Sequence, residues 1–269
     1  MGEDRIKWVF LILHFLLYPA SNGYNSYFDK DEKSIGGLKN PPPVRRGLYF
    51  TSILLDGTAI VLGLIKVSVW FAIMLLIYGL VSKAYSHPTI RLKKLPVLGW
   101  LVTGLFQGAF TFFMCYIGIN HYSPENILHP HVLLPALLSS IMLWANYPMT
   151  QIYQHEEDAL HGDYTLSRML GIRGTFYFAA TFFAIASAGF IFFFRKYYSL
   201  HEGLVFLAVM SPVIIYFGYW FLKVWNNPLK ADFSHTMSLN FISATCLNGF
   251  FIWLFFEVSH IGQYLFQSR

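Results

Sequence analysis

The sequence predicts an all-α fold, a polytopic transmembrane helical bundle of about eight spans, and composition and run length carry that prediction. Hydrophobic residues make up 55% of the 269 residues and charged residues 12%, where a soluble domain carries roughly 25% charge. Mean hydropathy is +0.48. The apolar residues fall into runs near the roughly 20 residues that a bilayer-crossing helix needs. The runs lie near 6–27, 48–64, 67–83, 98–118, 132–153, 174–194, 202–222 and 238–259, and the chain reads as a single domain over 1–269. Aromatic residues reach 19%, with 27 Phe, and serve equally well to line an apolar tunnel or to face lipid. Cys115 and Cys246 both sit inside apolar runs, which argues against a disulfide framework.

The first run follows Arg5 and Lys7 as a signal peptide would, but SNGYNSYFDKDE comes directly after it and the remainder is polytopic. It therefore reads as a retained helix. Alternation then assigns sides. The loops 29–47, 84–97, 154–173 and 223–237, with Lys83 at the edge of one, hold thirteen of the nineteen Lys and Arg, whereas the loop 119–131 has none. Positive-inside places the first set in the cytoplasm. The net charge of +5 is thus a topology signal, spread over loops, and gives no indication of nucleic-acid binding.

Acidic residues concentrate at two helix ends on that same side. In the second, YPMTQIYQHEEDALHGD, Glu156, Glu157, Asp158 and Asp163 are four of the chain's fourteen acids. Continued as a helix, this stretch sets Gln151, Gln154 and Asp158 at i, i+3 and i+7 on one face. In the first, Asn22, Asn25 and Asp29 repeat that spacing, with Asp31 and Glu32 just beyond. Opposed acidic helix ends suit Mg²⁺, which shares one or two carboxylates with substrate phosphates. Solvated helix ends are the plainer reading of either stretch alone. GGLKNPPPVRRG cannot be helical and reads as an ordered loop over the first mouth, with Lys39, Arg45 and Arg46 available to a phosphate or simply setting topology. Between the mouths, AYSHPTIRLKKLP supplies Tyr85, Arg91, Lys93 and Lys94, groups able to grip an anionic leaving group.

Taken together, Asn25-Ser-Tyr-Phe-Asp29, Tyr85-Ser-His-Pro88 through Lys93, Gln154-His-Glu-Glu-Asp158, and the following Gly162 and Thr165-Leu166 resemble the motifs of the UbiA superfamily of intramembrane prenyltransferases. The middle motif is of the type found in its chlorophyll-synthase-like branch. The resemblance implies transfer of a prenyl group from a prenyl diphosphate to a lipophilic acceptor, aromatic or other, within the membrane and with Mg²⁺ as cofactor. It implies Asn25, Asp29 and Asp158 as catalytic residues, Asn25, Asp29, Gln154 and Asp158 as metal ligands, and Tyr85, Arg91, Lys93, Gln154 and Arg45 as substrate-binding residues. Tyr27, Phe28 and Tyr153 are candidates to shield an allylic cation, and the expected location is the cell inner membrane with the site facing the cytoplasm. The chain departs from the pattern at Lys33, where the first motif would carry its second acid, and at Gln154, where the second motif would carry its first. The first motif also lies on the first helix here, whereas the family carries it on the second of nine. The opening helix is therefore expected to be absent, or the start to have been placed too late. These departures keep a second reading in view, a non-catalytic isoprenoid-binding or transport protein on the same scaffold.

Several polar residues stand apart from these motifs. Asp56, inside FTSILLDGTAIVLG, is costly to ionise in a span. It is either a polar contact in the substrate cavity or a partner for a cation, or else a protonated or hydrogen-bonded acid packed by Thr51, Ser52 or a neighbouring helix. His129 and His131 read as interfacial, His155 and His161 as solvated loop residues. Asn240 and Asn248 are expected to bond between helices.

Overall fold

The computed structural model describes residues 2–259, and the described chain is helical throughout its regular structure. In chain order the helices are α1 Gly2–Ile12, α2 Tyr18–Asp29, α3 Arg46–Lys66, α4 Val69–Ser86, α5 Pro96–Leu105, α6 Thr111–Asn120, α7 Pro130–Gln151, α8 His155–Leu160, α9 Leu166–Tyr197, α10 Leu200–Asn226 and α11 Phe233–Ser259. Seven helical segments are long and apolar enough to cross a membrane: α3, α4, α5 with α6, α7, α9, α10 and α11. The expected first span is helical over α1 and α2 but is not one of the seven. Its second half, with Ser21, Asn22, Asn25 and Asp29, is too polar.

Two π-helical turns interrupt otherwise continuous helices, and each has an identifiable cause. Leu13–Leu17 joins α1 to α2, with the Tyr18 N–H reaching the Leu13 carbonyl. Pro19 follows directly; its ring crowds the carbonyl four residues back and it offers no N–H, so the chain widens ahead of it. Phe106–Phe110 joins α5 to α6, with the Thr111 N–H reaching the Phe106 carbonyl. Here the bulge is locked from outside. The Ala109 N–H donates to Ser140 Oγ on α7 at 2.9 Å, and Gly108 lies so close that a Cβ there would be 2.5 Å from Ser140 Cα.

Two apolar cores result. One is built from α1, the first π turn, α3, α4 and α6 around Ile12, Phe71, Leu75 and Met114; the other from α7, α9, α10 and α11 around Phe176, Phe194, Phe206, Trp220 and Phe250. Asp56 is buried on α3 and paired with Lys83 of α4. It is thus a cation partner lying outside the cavity described below, which answers the two readings left open for it. The expected interhelical bond of Asn240 is not made by its oxygen: Oδ1 is buried without a partner among the described residues.

Because the neighbour at Gly108 is backbone, it cannot swing away. Gly108→Ala is expected to cost about 1–3 kcal/mol, the range for overpacking, read as a lower melting temperature of the detergent-solubilised protein. An unchanged melt would mean that α5 and α7 separate freely at this point.

Candidate functional site

The two acidic mouths and the loop between them meet at one end of the bundle. α2 runs unbroken to Asp29, so Asn22, Asn25 and Asp29 do share a face. The second mouth differs from expectation. α7 stops at Gln151, Ile152 and Tyr153 form a turn, and Gln154 begins the short α8. Pro148, near the end of α7, withdraws an N–H from the last turns. The break reorients the stretch, yet Gln151, Gln154 and Asp158 still line one cavity.

Segment 30–45 crosses from α2 to α3 and is tied down on α8. The backbone N–H groups of Glu32 and Lys33 donate to Glu157 Oε1 at 2.9 and 3.2 Å. Gln154 Nε2 donates to the Ser34 carbonyl at 3.3 Å. Lys33, at the place of the missing acid, pairs with Glu156 at the surface. It does not line the cavity.

Beneath this segment lies a buried ionic cluster. Arg91 donates through Nε and a terminal nitrogen to the two oxygens of Asp163 at 2.8 and 2.9 Å, and lies 3.6 Å from Asp29 Oδ1. Lys93 Nζ bridges Asp29 Oδ1 and, at 2.9 Å, Asp163 Oδ2. Arg91 itself holds a left-handed backbone (φ +46), a strained state that the surrounding contacts must impose. Burial opposes charge on both Arg91 and Asp163, but their mutual bonds outweigh it. The guanidinium pKa is raised and the carboxyl is held below its usual range. The cluster takes up Arg91 as a structural group, and among the expected catalytic, metal-binding and substrate-binding residues it alone does not line the cavity; Lys39, Arg46 and Lys94, offered for phosphate, do not line it either.

The cavity has a volume of about 1250 Å³, beyond the roughly 300–1,000 Å³ of a pocket for one drug-sized ligand. Asn25, Asp29, Arg45, Tyr85, Lys93, Gln154 and Asp158 all border it. Gln151, set on this face by its spacing, borders it as expected; Asp163, Tyr147, Thr103 and Gln107 border it too, and sequence reasoning gave none of these four a role in the site. Asp163 had been counted only as part of the acidic run. Tyr27, Phe28 and Tyr153 do not line the cavity; Tyr78, Tyr85, Phe106 and Tyr147 are its aromatic walls, with the Tyr85 and Tyr147 hydroxyls bonded to each other. Tyr27 and Phe28 pack instead with Tyr49, and Tyr153 on Phe233. His155 is not solvated: its Nε2 meets Ser167 Oγ at 2.8 Å, and burial, aided by the Arg168 charge, lowers its pKa to about 4.

No three His, Cys, Asp or Glu side chains converge into a metal cage among the described residues. The donor set still fits a hard cation shared with phosphate, because three of the four expected ligands keep an oxygen with no donor among the described residues and Asn25 keeps a lone pair. Lys93 and Arg91 both take Asp29 Oδ1, leaving Oδ2. Thr165 takes Asp158 Oδ2, leaving Oδ1. The Gln154 bond uses its nitrogen and leaves Oε1. Asn25 Oδ1 accepts from Ser86 at 2.6 Å and retains a second lone pair. Gln151 adds a buried Oε1 with no partner, and Mg²⁺ asks the protein for only one or two carboxylates.

Burial drives the Asp158 carboxyl up to about 6, against the Thr165 bond and the Lys93 charge. Burial, then the charge of Asp29, brings Asp31 to about 6 as well. An acid whose folded pKa is raised favours the fold below its unfolded value near 3.8 and loses that contribution as pH rises through 6. Asp31→Asn is therefore expected to raise the melting temperature most at pH 7.5, by less at pH 5, and hardly at all at pH 3. A larger gain at pH 5 would contradict this. Asp163→Asn acts oppositely, stranding two buried cations on Asp29 alone, at a cost of about 3–5 kcal/mol in thermal or denaturant melts. Loss of less than about 1 kcal/mol would show the cluster to be solvated.

No curated protein and no solved structure matches the chain. The model of the UbiA prenyltransferase family matches residues 3–255, nearly the whole chain. With its all-helical membrane architecture and acidic, amide-rich helix ends gathered at one cavity, the chain belongs to the UbiA family of membrane prenyltransferases.

Proposed function

We propose that this protein transfers a prenyl group from a prenyl diphosphate to a lipophilic acceptor, with Mg²⁺ held at the mouth of the cavity and that mouth facing the cytoplasm. The observation that carries the reading is the single cavity bordered by both acidic helix ends and by Lys93 and Arg45. A diphosphate needs both signs of charge: cations for its oxygens, and carboxylates for the metal it brings.

Asp29 Oδ2, Asp158 Oδ1 and the amide oxygens of Asn25, Gln154 and Gln151 would hold Mg²⁺. The bound ion neutralises charge on the leaving diphosphate. Lys93, already inside the cavity, and Arg45, at the start of α3, bind the diphosphate oxygens. As the allylic carbon–oxygen bond breaks, the faces of Tyr78, Tyr85, Phe106 and Tyr147 stabilise the positive carbon. The acceptor then forms a bond to that carbon and gives up the proton it carried to the departing diphosphate, which leaves protonated. Segment 30–45, pinned by Glu157 and Gln154, keeps water out of the mouth.

The second reading, a binder without catalysis, draws on Lys33, whose pairing with Glu156 leaves the first motif one acid short in the cavity. One experiment separates the two. Geranylgeranyl diphosphate binding to the purified protein is measured with and without Mg²⁺, followed by a screen for diphosphate release with candidate acceptors. Binding is expected to require Mg²⁺ and to weaken about tenfold or more, roughly 1.4 kcal/mol, in Asp29→Asn and Asp158→Asn. Gln154→Asp is expected to lower the Mg²⁺ concentration at half-saturation. Binding indifferent to Mg²⁺ and to both Asn variants would overturn the enzyme reading.

A further inference from the structure

The cavity changes character along its depth. Every charged group on its wall comes from a helix end or loop at the mouth: Asp29, Asp31, Arg45, Lys93, Glu157, Asp158 and Asp163. Along α5 and the π turn after it the wall is neutral but not apolar, with Thr103 and Gln107 set among Val102 and Phe106, while Ser82, Tyr85 and Tyr147 add hydroxyls nearer the ends of α4 and α7. Gln107 is the unusual member. At about 1.5 Å per residue it lies about 16 Å along the helix from Pro96, near the middle of a roughly 30 Å hydrocarbon core. Its amide is exposed to the cavity and makes no side-chain hydrogen bond among the described residues, so it is free to bind what enters.

Its placement is enforced. Gln107 sits in the Phe106–Phe110 π turn, the bulge clamped to α7 by the Ala109–Ser140 bond and by the close approach of Gly108. Thr111 adds a second hold, donating its hydroxyl to the Phe106 carbonyl at 2.8 Å. π turns inside α-helices frequently mark functional sites. A fixed, unpartnered amide at mid-membrane depth on a cavity wall is a group in want of a ligand.

We propose that this inner end is the acceptor subsite, and that the acceptor is a neutral phenol or alcohol whose hydroxyl bonds the Gln107 amide while its apolar body lies against Val81, Val102 and Phe106. A carboxylate or phosphate on the acceptor finds no cation at this depth, since Lys93 and Arg45 belong to the mouth. The inference rests on the prenyltransferase reading only for the word acceptor; the polar subsite stands on its own geometry.

The test uses the full-length protein in detergent with 2-naphthol and 2-naphthoate as matched neutral and anionic probes. Geranylgeranyl diphosphate with Mg²⁺ serves as the control for an intact mouth. Saturable 2-naphthol binding is expected, about tenfold weaker in Gln107→Leu, with geranylgeranyl diphosphate affinity within about twofold of the parent. Gln107→Asn, which keeps a shortened amide, should fall between. 2-Naphthoate should bind at least about tenfold less tightly than 2-naphthol. Equal affinity of the two probes, no saturable 2-naphthol binding, or 2-naphthol binding unmoved by Gln107→Leu overturns the proposal. If the parent ignores geranylgeranyl diphosphate yet binds 2-naphthol through Gln107, the prenyl-donor reading falls and the subsite remains.

Discussion

Asp29, Arg91, Lys93 and Asp163 form a buried group of two anions and two cations on which the architecture of the mouth depends. They come from the end of α2, the loop before α5 and the segment between α8 and α9. Those three segments are joined there by paired charge rather than apolar packing. The desolvation cost of each ion is met only because every one has an opposite partner in contact. The bidentate Arg91–Asp163 pair fixes direction as well as distance, which explains why a left-handed backbone at Arg91 is tolerated. With the cluster formed, Lys93 is presented to the cavity and Asp29 keeps one oxygen turned away from its cations. The site is thus preorganised by ion pairs that stand beside it.

How much of this was legible in the sequence depends on whether a feature is local. The spacing of Asn22, Asn25 and Asp29 read correctly because α2 is unbroken and its periodicity is an intrinsic property of the helix. The same spacing over Gln151, Gln154 and Asp158 led to an unbroken helix that α7 does not supply, although the three still reach one cavity. There Pro148 was the available signal, and the reorientation is completed by tertiary bonds to segment 30–45. Arg91 and Lys93 looked alike as basic loop residues. Their division into one structural and one cavity-facing group follows from Asp163, seventy-two positions away from Arg91. Gln107 carried a weak signal, a lone amide in an apolar run. Its π turn could not be read, because the partner of the freed Ala109 N–H is on another helix.

Both π turns answer the same constraint. In a bilayer every backbone donor must find an acceptor within the protein, so a widened turn persists only where something nearby takes up the displaced group. Near Pro19 the imino ring removes a donor, and the turn widens at little cost. At Phe106–Phe110 no proline is present, and the Ser140 hydroxyl accepts from the Ala109 N–H in its place. That second turn therefore depends on the fit of α5 to α7, which the absence of side chains at Gly104 and Gly108 permits.

Polar groups in this protein are segregated by what the membrane permits at each depth. On the cavity wall charge is confined to the mouth, where opposite partners and segment 30–45 surround it, and the Asp56–Lys83 pair off that wall lies toward the mouth end of α4 and is satisfied within the protein. At mid-depth the wall carries only hydroxyls and an amide, groups that burial does not ionise and that therefore cost less in low dielectric. This ordering imposes a direction on any amphiphile that enters. An anionic head finds cations only at the mouth, and a neutral oxygen finds donors and acceptors further in. Two ligands of those two kinds can occupy one cavity without exchanging places. For a group transfer between a charged donor and an uncharged acceptor, that is the property that keeps each substrate at its own end.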